Sequence, residues 1–165
     1  MSETHRIADL MMAVVEGDPW HGSSAVALLT QVSCEEATSR LAPGAHSIWE
    51  LVLHMTGWAD EVRARLDGKA AGAPRAGDWP DIDEVTPAAW ARAQRDFAQS
   101  HARLAAALRA TRDERLDTPV LDHRDAAAGT GQSHYATVHG LVHHTAYHAG
   151  QVALLARLAE SMRCG

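Results

Sequence analysis

One segment of the sequence has residue types and spacing that suit metal chemistry. In HHTAYHAGQVALLARL, residues 143–158, three histidines fall within six positions and an apolar helical pattern follows. His144 and His148 are four residues apart, so on a helix their side chains lie one turn apart, about 5–6 Å between Cβ atoms. Two imidazoles at that distance can bind one metal ion. The spacing alone is a weak signal, because two core-edge histidines bonded to backbone or water would look the same.

A helical projection separates the histidines of this segment into two groups. At about 100° per residue, His144 lies about 40° from His148, and both fall in the apolar sector of the helix. His143 lies about 140° and His139 about 180° from His148, on the opposite side. The projection therefore predicts that His144 and His148 face the core and that His139 and His143 face solvent.

A third histidine strengthens the metal interpretation. His54 lies at the edge of the apolar stripe of SIWELVLHMTGWADEVRARL, between Leu51 and Trp58. Three neutral imidazoles leave coordination positions open for water or substrate, which is typical of a reactive metal site rather than a closed structural one. Because they bring no charge, such a site favours an anionic further ligand such as hydroxide or thiolate. The two cysteines, Cys34 and Cys164, are too far apart in sequence to suggest a thiolate site.

Helices are the elements that must position these histidines. Ala and Leu are abundant, Ile, Val and Phe are sparse, and no series of strand-like segments is present. We predict an all-α fold, a bundle of four helices at 4–33 (interrupted around 17–22), 47–67, 86–110 and 133–161. The irregular stretches 68–85 and 112–132 lack apolar periodicity and are expected to be the most mobile parts.

Local signals mark where several helices begin. Two capping boxes place a serine three residues before a glutamate, and a threonine followed by proline opens the third helix. Ser23 or Ser24 can cap the second part of the interrupted first helix. The residues of the boxes and of the third start are Ser33 with Glu36, Ser47 with Glu50, and Thr86 with Pro87.

Length and charge exclude several classes of protein. The 165 residues suit a single domain, 1–165, with one core. A net charge of −6 without a basic stripe argues against nucleic-acid binding. No apolar run is long enough for a membrane span, and the N-terminus does not have the pattern of a signal peptide. With only two cysteines, we expect a reduced, cytoplasmic protein.

Two stretches of the chain resemble the DinB-like superfamily of four-helix-bundle proteins. They are GAHSIWELVLHMTGWADEVRARLDG and GLVHHTAYHAGQVALLARL, and the likeness extends over nearly the whole chain. Its specific parts are the histidine early in the second helix and the HxxxHxGQ pattern in the last. The family's metal triad corresponds to His54, His144 and His148, the residues that the projection selects.

The resemblance implies more about fold and activity. It implies an up-down-down-up bundle that binds a divalent metal ion, nickel or zinc in many structures, with another transition metal as an alternative. Relatives with an assigned activity include mycothiol-dependent maleylpyruvate isomerases and bacillithiol transferases, in which a metal activates a low-molecular-weight thiol. Because bundles of this family often pair, and the third helix is rich in Ala and Leu, we also expect a homodimer.

Other residues are weaker candidates for the pocket. His21, in the interruption of the first helix, lies about level with His54 if the two helices pack antiparallel, although a solvent-exposed loop histidine is the simpler interpretation. Tyr147 could supply a hydroxyl, and Gln151 could form a hydrogen bond across the bundle. Glu61 is a conceivable acid or base, but a solvated helix face explains it better. No role is assigned to His5, His46, His101, His123 and His134.

Two classes of function fit these observations. The first is a divalent-metal-dependent enzyme, a thiol-dependent transferase or isomerase or a hydrolase, that activates thiol or water for a small-molecule substrate. The alternative is a non-catalytic metal-binding bundle in which the ion is structural or sensed. A structural site would be closed by a fourth protein ligand, and none is evident in the sequence. The enzyme is therefore favoured.

Overall fold

The structure is a computed structural model that describes residues 1–122 and 131–163, in which irregular segments join a series of helices. An isolated bridge between Pro119 and Ser133 is the one β-type pairing in those residues. The prediction of an all-α fold with four long helices is confirmed. The α-helices are α1 Glu3–Val15, α2 Ala25–Leu29, α3 Cys34–Thr38, α4 Ile48–Leu66, α5 Pro87–Ala110 and α6 His134–Arg163, and a 3-10 helix at Asp113–Arg115 follows α5.

Capping interactions begin α3, α4 and α5 at the predicted positions. The hydroxyl oxygens of Ser33 and Ser47 each accept a hydrogen bond from the backbone N–H three residues later. The side chains of Glu36 and Glu50 accept in return from the backbone N–H groups of those serines. Thr86 caps α5, with a proline at the first helical position. Each cap satisfies an N–H group that the helix itself leaves unpaired.

The first predicted helix, 4–33, is divided more widely than the sequence suggested. Non-helical chain covers residues 16–24 between α1 and α2, whereas the expected interruption was 17–22. Pro19 is one cause of the interruption itself, since proline lacks an N–H group and disfavours helical conformation in the residue before it. Ser24 lies at the N-cap position of α2 but forms no side-chain capping bond.

The long helices pack through their apolar faces. α4 and α1 each pack against α5 and α6, and α2 lies on α6. Burial of these faces is the main source of the free energy that stabilises a helical domain. Because α4 and α6 are direct neighbours, their facing side chains can form one site. Fully buried side chains of the core include Met11, Val52, Met55, Phe97, Leu104 and Val138.

The loop between α4 and α5 is attached to α4. Arg65 donates from Nη2 to the carbonyl oxygen of Gly72 at 2.7 Å. Pro74 is buried against Gly57, where an added Cβ would lie 3.2 Å from the Cβ of the proline. The expected mobility of loop 68–85 stays a prediction. These contacts fix the path of the loop across the face of α4.

Glu61 is buried, so the expectation of a solvated position is wrong. Only 3% of the residue is exposed. Its carboxylate accepts hydrogen bonds from Lys69 Nζ at 2.7 Å, from Arg65 Nε at 3.2 Å and from the backbone N–H of Gly72 at 3.1 Å. A buried carboxylate without such partners would strongly destabilise the fold. The three donors explain how Glu61 is accommodated.

We expect Ser47→Ala to lower the free energy of unfolding by about 1 kcal/mol, because the N-terminus of α4 would lose its capping side chain. Urea denaturation measures the change. Ser161→Ala is the matched control, since that exposed hydroxyl only bonds to the carbonyl of Leu158 in its own helix. The control should leave stability unchanged or slightly increased, because alanine favours helix. Equal losses in both variants would contradict the role of the cap.

Two further expectations concern membranes and the second irregular stretch. Across the described residues, no helix combines the length and the hydropathy that a membrane span requires. Part of the stretch 112–132 lies outside the described residues. His123 and Cys164 lie outside them altogether. The mobility expected of 112–132 therefore stays a prediction.

Candidate metal site

α4 and α6 bring His54, His144 and His148 together. Nε2 of His144 lies 2.8 Å from Nε2 of His54 and 3.1 Å from Nε2 of His148. One ligand nitrogen from each residue lies within 4.8 Å of the other two, and within the described part of the chain no other group of His, Cys, Asp or Glu meets this condition. His143 is exposed, as the projection predicted, whereas the side chain of His139, also expected to face solvent, is only 23% exposed because it lies against Glu3. The sequence therefore selected the three residues that converge.

Hydrogen bonds orient two of these imidazoles. Nδ1 of His54 lies 2.6 Å from the backbone oxygen of Asp78, which can only accept, so this nitrogen carries the proton. Nδ1 of His148 donates in the same way to Oε1 of Gln151 at 2.6 Å. Each neutral ring then presents a lone pair at Nε2. Nε2 of His144 faces both lone pairs, and its buried Nδ1 has no hydrogen-bond partner among the described residues. This arrangement is a donor set for a cation.

Burial favours the neutral form of His144 and His148, which is the form that binds metals. Burial, reinforced by the neighbouring His148 and His54, lowers the pKa of His144 to about 4. Burial also lowers the pKa of His148, against the opposing effect of its hydrogen bond to Gln151. A protonated imidazole has no lone pair for a metal, so a lowered pKa keeps the donor available at neutral pH.

The loop before α5 supplies two residues that the sequence analysis missed. The indole ring of Trp79 stacks on the His54 ring, with centroids 3.9 Å apart and planes 7° from parallel. The other face of Trp79 stacks on His46 at 3.5 Å. The Asp78 carboxylate accepts the indole N–H of Trp58 at 2.7 Å, and its backbone carbonyl orients His54. The loop therefore covers one side of the site and fixes one ligand.

A sequence signal for Trp79 was present. In GDWPD the tryptophan is flanked by Gly, Asp and Pro, so no neighbouring apolar residue in the chain can pack with it. A large aromatic side chain in such a segment must bury its ring against another element or remain exposed. Which element it meets cannot be read from the sequence, because the path of a loop depends on distant contacts.

A cavity of about 440 Å³ adjoins His54 and His144. Its walls are formed by apolar side chains and by the small residues Ala136 and Gly140. Arg65 lines it further along α4. Polar groups that converge in a largely apolar cavity are typical of small-molecule sites. The lining residues from α4 and α6 include Trp58, Val62, Arg65, Ala136, Thr137, Gly140 and Leu141.

The other pocket candidates lie in different places. His21 is exposed and lines a separate cavity of about 680 Å³ together with Gly150 and Arg157. Tyr147 is 65% exposed, and its ring lies edge-on to that of His148 with centroids 5.0 Å apart. Gln151 orients His148 through the bond already described. Of these three candidates, Gln151 alone forms a hydrogen bond to the histidine cluster.

Two of the histidines to which no role was assigned, His101 and His134, are buried. His101 is fully buried, with Nδ1 2.9 Å from the carbonyl oxygen of Phe97 and Nε2 3.2 Å from Oγ1 of Thr145. His134, at the start of α6, is 1% exposed, and its Nδ1 lies 2.8 Å from the carbonyl oxygen of Thr118. Both rings therefore contribute to packing and to hydrogen bonds within the bundle.

Acid is expected to destabilise the protein through His101. Burial lowers the pKa of His101 from 6.5 to about 4. The His101 imidazole binds a proton near pH 6.5 in the unfolded chain but only near pH 4 in the folded chain. The part of the free energy of unfolding that depends on His101 is therefore at its full value above pH 6.5 and decreases as the pH falls to about 4. The loss amounts to about 3 kcal/mol.

Urea denaturation between pH 7 and pH 4 measures this loss. His101→Leu serves as the comparison, because the hydroxyl of Thr145 can still donate to the carbonyl of Leu141 at 3.0 Å. The difference between the two pH profiles isolates His101 from the other histidines. Parallel profiles would contradict the assignment.

Comparison with known proteins gives one match. The family model of the DinB superfamily matches residues 20–152, a range that includes the three convergent histidines and most of the helical chain. No curated protein matches the sequence significantly. No solved structure matches it either. A match over most of the chain establishes the family, and the protein belongs to the DinB superfamily.

Proposed function

We propose that the protein is a divalent-metal-dependent enzyme, a thiol-dependent transferase or isomerase or a hydrolase, with His54, His144 and His148 as metal ligands. The observation that carries the proposal is the convergence of their Nε2 atoms beside a cavity large enough for a small molecule. Membership of a superfamily that is often metal-binding supports it.

The geometry of the three nitrogens fits a metal ion. Nitrogen ligands bound tetrahedrally to one zinc ion at 2.0–2.1 Å lie about 3.3 Å apart. The separations of 2.8 and 3.1 Å are close to that value and need only a small adjustment of the side chains. Two nitrogens of like polarity at these distances repel each other unless a proton or a cation lies between them.

Residues around the ligands would tune the site. A divalent metal bound there supplies a Lewis acid that polarises a substrate or lowers the pKa of a bound water or thiol. The Asp78 carbonyl and Gln151 hold the protons of His54 and His148 on Nδ1, which directs both Nε2 lone pairs into the site. Trp79 shields the outer face of His54 from water.

Several finer features belong to the same proposal. The metal is nickel or zinc, or another transition metal, and a low-molecular-weight thiol serves as a second cofactor. The substrate is a small molecule. The chain forms a single domain, 1–165, with its four long helices in up-down-down-up order, and it acts as a cytoplasmic homodimer.

Metal analysis followed by cobalt substitution tests the proposal. The purified protein should contain close to one divalent ion per chain. After cobalt substitution, a small thiol or azide should change the visible spectrum by binding at an open coordination position. A cobalt spectrum that no thiol or anion changes would favour the alternative, a non-catalytic bundle with a structural or sensed ion. Failure to bind any divalent metal would overturn both.

A further inference from the structure

Arg65 lines the same cavity as His54 and His144, two of the three candidate metal ligands. Its side chain is only 13% exposed, so the guanidinium lies within the protein rather than in bulk water. Its central carbon lies 5.6 Å from the ring centroid of Trp58. Arginine in such a position pairs with carboxylate or phosphate groups in many binding sites.

The guanidinium of Arg65 has N–H groups that no described residue engages. Nε bonds to Glu61 and Nη2 to the carbonyl of Gly72, which account for two of the five N–H groups. No hydrogen bond to another described residue engages the remaining three. Those two bonds hold the side chain in place, so an incoming anion meets a preorganised donor at little cost in conformational entropy.

The positive charge of Arg65 is not cancelled by its acidic partner. Glu61 also pairs with Lys69, whose Nζ lies 2.7 Å from the carboxylate, so the three side chains together carry a net charge of +1. Asp78 is the one acidic side chain among the described residues that line the cavity. It is 53% exposed and lies beside His54 at 3.3 Å, at the end of the cavity where the metal ligands are.

The distance between the two polar ends suits a small molecule. The Trp58 ring centroid lies 5.6 Å from the Arg65 guanidinium carbon and 6.4 Å from the ring centroid of His54, which sets an upper limit of 12.0 Å between guanidinium and imidazole. Apolar side chains of Val62 and Leu141 line the space near these ends. A ligand that bridges them would have an anionic group at one end and a short hydrocarbon part.

We propose that this cavity binds a small carboxylic acid, with its carboxylate paired to Arg65 and its hydrocarbon part against Trp58, Val62 and Leu141. The donor atom at the other end of the molecule approaches the metal position at His54 and His144. The proposal rests on the proposed function, because it names the class of substrate for the same metal site.

Thiols with and without a carboxylate test the role of Arg65. The cobalt-substituted protein is titrated with 3-mercaptopropionate and with 2-mercaptoethanol, and the visible spectrum reports binding. We expect Arg65→Gln to weaken binding of 3-mercaptopropionate by about tenfold or more, the size of one hydrogen bond to a charged group, and to leave 2-mercaptoethanol unchanged. Comparing each thiol across variants removes the effect of its own acidity.

Lys69→Gln is the matched control for Arg65→Gln. It removes the other cation that pairs with Glu61, but Lys69 lines a different cavity, which Glu61 also lines. It removes the same unit of charge as Arg65→Gln but leaves the N–H groups of Arg65 in place, so it should weaken the binding of 3-mercaptopropionate much less than Arg65→Gln does and leave 2-mercaptoethanol unchanged. Equal weakening by the two variants would overturn direct pairing with Arg65, since it would point to a change in overall charge or in stability.

Two glycines of α6 test which cavity is used, without disturbing the Arg65 bonds. A Cβ added at Gly140 or at Gly150 meets no atom within 4 Å. Gly140 lines the proposed cavity and Gly150 lines the one that contains His21. Gly140→Leu should abolish the binding of 3-mercaptopropionate while cobalt remains bound, and Gly150→Leu should not.

The outcomes separate this proposal from the one on which it rests. If cobalt binds and both thiols change the spectrum equally in the wild type and in Arg65→Gln, the carboxylate proposal is wrong and the metal-dependent function stands. If Gly150→Leu loses 3-mercaptopropionate binding and Gly140→Leu does not, the ligand binds in the cavity that contains His21, and the proposed cavity is wrong. If no thiol or anion changes the cobalt spectrum, the proposed function itself fails.

Discussion

His148→Ala is expected to abolish tight binding of divalent metal ions. The change removes one of three convergent nitrogens and leaves His54 and His144 2.8 Å apart, with at most two protein ligands for an ion. Loss of a residue that only supports a ligand typically lowers metal affinity 10–100-fold, so loss of a ligand should lower it by more than about 100-fold. Equilibrium dialysis against zinc, with metal analysis of the protein, measures the change.

His143→Ala is the matched control for this experiment. It removes an imidazole from the same helix, five residues earlier, but His143 is exposed and lies on the other side of α6. Its metal affinity should equal that of the wild type. If His143→Ala lost metal as completely as His148→Ala, the assignment of the inward face of α6 would be wrong, and a surface histidine cluster would become the better explanation.

Glu61→Gln is expected to lower the free energy of unfolding by about 3–5 kcal/mol. The neutral amide of glutamine cannot balance the charge of Arg65, whose side chain is mostly buried. The NH2 group of the glutamine would also point at hydrogen-bond donors that the carboxylate oxygen accepts from in the wild type. Urea denaturation monitored by circular dichroism measures the loss. Coincident transitions by circular dichroism and by tryptophan fluorescence would show that the two-state analysis applies.

Asp60→Asn is the matched control for Glu61→Gln. It makes the same carboxylate-to-amide change one residue earlier in α4, where the side chain is 45% exposed and pairs with Arg103 at 3.1 Å. Exposed ion pairs contribute about 1 kcal/mol or less, so the control should change stability only slightly. Similar small losses in the two variants would show that the charge of Glu61 contributes little.

Local features of the sequence were sufficient for the starts of α3, α4 and α5 and for the inward facing of His144 and His148. The capping residues of α3, α4 and α5 act within three positions of each other, so the sequence alone places those helix starts. The inward facing of His144 and His148 follows from the 3.6-residue period of a helix that must bury its apolar side. The link to His54 depended on family resemblance as well as on its position beside an apolar stripe.

Tertiary structure alone decided the surroundings of those histidines. Trp79 and Asp78 reach His54 because the loop before α5 crosses α4, and His101 is buried because α6 covers it. Glu61 looked like a solvated residue, since a helical pattern records which side of a helix a residue is on but not what covers that side. The physical reason is range: helix periodicity and capping act over a few residues, whereas burial and hydrogen bonding of a polar side chain depend on segments far apart in the chain.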